Sequence, residues 1–395
     1  MAVTELPFHV PLPLDNVPTL LQVVAVALVT SLFYSFITRD RPFAGIPLIS
    51  LNEKGYLKYL KQRFSWMLRG HEILAKGLQE TSGPFQVMTG TGPKIVLPNK
   101  FADELRNHPS LDFTKAFAKD FFVEYPGFKG HRQGLKGDNL VSETVRIKLT
   151  QSLNLVTDDL VDETTAALHD IFGETETWET CKIKENILDL VARLSSRVFL
   201  GLPLCRDEDW LRIAKGYTVD SMMASIQLKV VPKILRPIVY WFMPICRSLG
   251  QQIKVADRLI LPEVERRKER VDKAKEAGTK PPKIADAIGW MYELSRGRPA
   301  DYVSGQLGLT LAAIHTTSEV MVEAMLDLCQ FPEFVKPLRD EAISVLSEHG
   351  WAKTSLYKLK LMDSFLKESQ RLNVLTKGER LVYIRLPRLV LLTHF

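Results

Sequence analysis

Leu366-Lys367-Glu368-Ser369-Gln370-Arg371-Leu372-Asn373 is the stretch on which the reading of this chain turns. Glu368 and Arg371 stand three apart, the spacing at which side chains on one helix meet. Leu359, Leu361, Met362, Phe365 and Leu366 precede the pair and predict a buried setting for it. Spacing alone carries nothing, because Glu143/Arg146, Glu263/Arg266 and Glu293/Arg296 share it, and most such pairs are surface salt bridges of small energy. Upstream, Asp301 to Gln330 is a mostly apolar helical pattern without internal proline. Inside it lies a small polar island, Ala312-Ala313-Ile314-His315-Thr316-Thr317-Ser318. Two alanines there let a planar group approach the backbone, and a helical hydroxyl can bond back to a carbonyl and loosen the turn. Read by itself, the island is also accounted for by a core helix with satisfied polar groups.

Taken in order, the two stretches resemble two signatures of the cytochrome P450 family. Three further runs are similar to fungal microsomal P450s of terpenoid and indole-diterpene pathways: Trp351 to Ser364, Arg146-Ile147-Lys148-Leu149-Thr150-Gln151-Ser152-Leu153, and Gly201-Leu202-Pro203-Leu204-Cys205-Arg206. The resemblance covers residues 18–373. It implies a mainly α, P450-like fold with small β-sheets, a haem cofactor, and NADPH-cytochrome P450 reductase as partner. The implied substrate is a hydrophobic, terpenoid-type small molecule that is oxidised or hydroxylated. By the same resemblance Thr316, with Thr317 and His315 beside it, is catalytic in proton delivery; His315 stands where the family often has an acid. Glu368 and Arg371 become a structural pair tying their helix to the segment under the haem. Arg146 becomes a candidate contact for a haem propionate.

A haem monooxygenase of this kind needs a cysteine thiolate on the iron. The family's cysteine loop, Phe-x-x-Gly-x-x-x-Cys-x-Gly, belongs beyond the Glu-x-x-Arg helix. All four cysteines, Cys181, Cys205, Cys246 and Cys329, precede Glu368. Cys205 has Gly201 in place but Val198 for the phenylalanine and Asp207 for the second glycine. No Cys-x-x-Cys spacing exists either, which argues against a zinc or redox motif. Val374 to Phe395 departs from the family pattern and is basic and leucine-rich. The expectation is a P450 truncated before its haem-cysteine loop and inactive as written. Its alternatives are an active enzyme with a different C-terminus, or a non-catalytic membrane-bound binding or scaffold protein.

Pro18 to Ile37 is an uncharged apolar run of twenty residues followed by Arg39 and Arg41, enough to span a ~30 Å hydrocarbon core as a helix. The first fifteen residues hold no Lys or Arg, so a cleaved signal peptide is disfavoured. The expectation is one N-terminal transmembrane helix in the endoplasmic reticulum membrane, with the body facing the cytosol. This gives residues 1–40 as anchor, 41–373 as an incomplete P450-like domain and 374–395 as a divergent tail. The net charge of +6 is scattered along the chain and leaves no nucleic-acid footprint. Within the body, helices are predicted over 53–80, 142–172, 186–200 and 206–228, and paired strands at Phe85–Met88 and Lys94–Leu97 around Gly90-Thr91-Gly92. Residues 228–249, broken by Pro232, Pro237 and Pro244, read either as a buried kinked helix pair or as a surface dipping into the bilayer interface. The alternating charges of Glu263 to Ala277 predict a solvated helix.

Overall fold

One long helix organises the molecule. In the computed structural model, which describes residues 41–51, 58–106, 108, 111, 113–132, 139–174, 176–231, 233–280, 285–373 and 389–393, the polar island sits midway along helix Tyr302–Gln330. The longer helices in chain order are α1 Lys58–Glu80, α2 Phe113–Phe121, α3 Leu153–Phe172, α4 Ile183–Leu200, α5 Glu208–Val230, α6 Arg236–Phe242, α7 Pro244–Glu276, α8 Ala287–Ser295, α9 Tyr302–Gln330, α10 Val335–His349 and α11 Lys360–Leu372. Asp301 caps α9, its Oδ1 accepting the Ser304 N–H at 3.0 Å, which satisfies one of the donors a helix start leaves open. Nothing interrupts the backbone ladder from there to Gln330, so α9 forms the axis against which α4, α5 and the 3-10 turn Pro126–Arg132 pack.

Small residues set how closely these elements approach. A Cβ on Gly130 would fall 2.8 Å from Tyr217 Cε1 and 2.9 Å from Leu307 Cβ, so the turn meets α5 and α9 without a side chain between. The main core that results includes Phe128, Leu190, Leu200, Trp210, Tyr217, Leu228, Leu249, Ile260, Leu307 and Ile314.

The β-structure is small. Strand β1, Phe85–Thr89, pairs antiparallel with β2, Gly92–Pro98, across the Gly90-Thr91 turn, with Gly92 at φ +120°. A third strand, β3, Leu389–Thr393, adds to β2 in the register Lys94↔Thr393 to Pro98↔Leu389. β1 and β2 share a separate apolar cluster with α1, built from Ile49, Trp66, Ile73, Leu74, Phe85, Val87 and Val96.

The mainly α architecture with a small sheet agrees with expectation; the membrane part does not. The expected span, Pro18 to Ile37, lies outside the described residues. Among the described residues no helix is long and apolar enough to cross a membrane. On that finding the transmembrane element, the membrane as a partner and the single-pass endoplasmic-reticulum placement are withdrawn.

Three local differences have physical causes. The helix expected over 142–172 is broken: Leu140–Glu143 is α-helical, Thr144–Leu149 is a π-helical turn, and α3 restarts after Ser152. Residues 236–249 do form a kinked pair, with Pro237 and Pro244 each in a first helical turn, where the missing N–H costs nothing. Only one side of that pair is buried, through Tyr240 and Cys246; Ile238, Trp241 and Phe242 are exposed. The helix read as solvated over 263–277 is the end of α7, and Glu263 and Arg267 on it are buried.

Candidate functional site: the middle of α9

Thr316 and Thr317 are exposed, and His315 is half-buried. Thr316 Oγ1 donates to the Ala312 carbonyl at 2.7 Å and lies 3.3 Å from that of Ala313. This is the back-bond that a hydroxyl makes when it competes for helical carbonyls. Ala312 is exposed beside it, so the island presents a shallow strip of two small side chains and two hydroxyls. His315 points the other way, its Nε2 lying 2.8 Å from the carbonyl of Lys215 on α5. The three expected residues therefore share one turn but not one face.

Glu368 and Arg371 do pair, through two bonds of 2.6 and 2.7 Å. Each holds the other in its charged form: the Glu368 carboxyl is lowered by its hydrogen bond from Arg371, and the guanidinium is raised in return. The buried setting expected for them is not found, because their side chains are 55% and 67% exposed. The buried member of the Glu-x-x-Arg set is Glu263. It accepts from Arg266 at 2.6 Å and from Arg267 at 2.7 Å, while Arg267 also donates to Asp286 at 2.6 Å and to the Leu200 carbonyl at 2.9 Å. Glu293 turns away from Arg296 to Lys148. Arg146 is exposed on the π-helical turn with no partner among the described residues, so it is open to an anionic group.

Two buried groups had no usable sequence signal. Glu163, fully buried on α3, accepts from Arg193 at 2.6 Å and Arg206 at 2.8 Å; the pairings span 30 and 43 residues of sequence, and periodicity does not report such distances. His131 is 2% exposed and both ring nitrogens lack partners. Phe117, Phe121, Phe128 and Tyr217 surround it, and loss of water pushes its pKa down to about 3.

A haem bound beside the Ala312–Thr316 strip would require a deprotonated cysteine of this chain as its ligand. Cys205 and Cys246 are buried, and burial pushes both thiols up to about 11, with Glu163 adding to the effect at Cys205. A metal-ligating thiolate needs the opposite shift. Cys181 and Cys329 are exposed, before α4 and at the end of α9. Cys329 sits roughly 20 Å beyond Thr316 at 1.5 Å rise per residue. Among the described residues no group of three or more His, Cys, Asp and Glu could hold a metal ion. The cysteines of this chain do not fit the axial position of a haem thiolate.

Residues 139–383 match the family described as Cytochrome P450. The chain is similar to cytochrome P450 monooxygenase bsc2 of Alternaria brassicicola, 45% identical over 346 residues, covering 87% of this chain and 66% of that protein. It is 40% identical to monooxygenase bsc11 of the same organism over 84% of this chain and 62% of that protein. Monooxygenase adrA of Penicillium rubens is 34% identical over 90% of this chain and 71% of its own length. The chain spans 62–66% of the length of the first of these relatives. A helical frame built on α9, with matches of this extent to fungal monooxygenases, shows that the chain belongs to the cytochrome P450 family.

Proposed function

We propose that this chain carries the threonine-bearing, oxygen-side wall of a monooxygenase site and does not by itself assemble the haem-thiolate centre of its family. The observation that carries this reading is the state of its thiols: two buried and raised to about 11, and two exposed, before α4 and at the end of α9. Haem, when bound in this family, supplies oxidation of unactivated carbon. Within the reading, residues 41–373 are the P450-like unit and 374–395 a tail of different character. Thr316 and Thr317 are the groups for handling protons at the strip. Glu368–Arg371 is a structural pair, and Arg146 an anchor for an anionic propionate. The substrate class is a lipophilic metabolite of terpenoid type, and NADPH-cytochrome P450 reductase is the electron donor of the complete system.

The test is the reduced, carbon-monoxide difference spectrum of the full chain expressed with haem supplied. The expected result is no Soret band of thiolate-ligated iron, with the protein confirmed present. Such a band, lost on replacing one of the four cysteines, overturns the reading and identifies the ligand.

A further inference from the structure

We propose that His315 is a positioning residue, one that fixes α5 against α9 beside Thr316 by donating its Nε2–H to the Lys215 carbonyl, and that it is not the proton donor its place in the motif suggests. The proposal rests on the reading of the Thr316 strip given above.

The argument starts from the partner. A backbone carbonyl only accepts, so at 2.8 Å the proton must be on His315 Nε2. In the neutral ring that leaves Nδ1 as an acceptor with nothing to give. In that form the one N–H of the ring is committed to α5. The bond also belongs to a chain of ties. Lys215 pairs through its Nζ with Asp189 of α4, so a single residue of α5 is held by α9 through its backbone and by α4 through its side chain. Two residues on, Tyr217 donates its hydroxyl to the Gly127 carbonyl at 3.0 Å and accepts the Gly130 N–H at 3.0 Å. Nearer its start, α9 is tied by Ser304 Oγ to the Lys129 carbonyl at 2.5 Å and by Gln306 Nε2 to the Phe199 carbonyl at 3.2 Å. His315 supplies the corresponding tie at the polar island. Thr316 uses its own proton locally, on Ala312, and among the described residues makes no bond to α5 that could replace it. Removing the imidazole therefore frees the middle of α5 from the turn that carries the two threonines.

Two measurements on the full chain test this without haem. Histidine-selective 15N NMR, assigned with His315→Gln, is expected to show His315 protonated at Nε2; a neutral Nδ1–H tautomer overturns the proposal. Amide hydrogen exchange is then compared across residues 213–219. His315→Ala is expected to exchange about five- to tenfold faster there, the scale of one lost intramolecular hydrogen bond. His315→Gln, whose amide N–H can reach the same carbonyl but cannot relay a proton, is expected to restore most of that protection. Unchanged exchange in His315→Ala, or no rescue by glutamine, overturns the proposal. A thiolate Soret band would overturn the proposed function and leave these readouts as they are, so the two failures are separable.

Discussion

Arg267 is bound on three sides, by Glu263, Asp286 and the Leu200 carbonyl. Burial alone would lower its pKa, but Asp286 and then Glu263 outweigh that and raise it. Both carboxylates are 5% exposed, but Glu263 also keeps Arg266 at 2.6 Å, so Asp286 depends on Arg267 the more. Arg267→Ala would leave Asp286 buried without its cation and should cost about 3–5 kcal/mol in a urea denaturation series. His131 is the opposite case, a polar ring whose two nitrogens have no hydrogen-bond partner among the described residues. Its pKa near 3 in the fold lies below the unfolded value of about 6.5. The unfolded chain therefore takes up the proton first. Protonation of His131 takes nothing from the fold above pH 6.5, and stability falls as pH drops toward 3, by at most about 1.4 kcal/mol per pH unit. His131→Phe keeps the aromatic packing and removes two orphaned nitrogens. It should flatten that acid slope and raise stability at neutral pH by about 1–3 kcal/mol, as read from unfolding midpoints across pH.

At the scale of elements, α9 is the structure's spine, and its start is a single side-chain cap. Asp301→Ala should lower the melting transition by the equivalent of about 1 kcal/mol, seen by circular dichroism. The spine was legible in the sequence because twenty-nine residues without proline, opened by Asp301, leave little alternative to helix. The β1–β2 hairpin was legible for a similarly local reason, two short, mostly apolar runs on either side of Gly90-Thr91-Gly92. What escaped depends on partners distant in sequence. The charge alternation around Glu263 and Arg267 describes a solvated face until Asp286 arrives from another element. Glu368 and Arg371 form their pair, yet the apolar residues before them cover a neighbouring face of α11 and leave the pair in water. The π-helical turn at Thr144–Leu149 leaves no hydrophobic period of its own, so the helix around it read as continuous.

Among the described residues, exposed apolar side chains gather between Val219 and Phe242 and again after the polar island. Met325, Leu326, Phe331, Phe334, Ile343, Trp351, Leu356 and Tyr357 are all exposed on the end of α9, on α10 and on the segments that follow them. Surfaces of this kind associate. The purified chain is expected to bind a hydrophobic dye in its native state and to scatter light increasingly with concentration, mild detergent reversing both. A monomer that stays dark to the dye would contradict this.

The cluster of Trp66, Leu74, Phe85, Val87 and Val96 keeps its apolar contacts to itself, while polar links such as Lys94–Asp120 at 2.7 Å reach toward the helices. Apolar burial carries most of the cooperativity of a fold, and exposed or half-exposed ion pairs carry little. The sheet end and the helical body should accordingly melt as two foldons rather than one. Under native conditions a protease would find the hairpin end first, and the surviving fragment would begin near the region of the Gly127 turn with its helical signal intact.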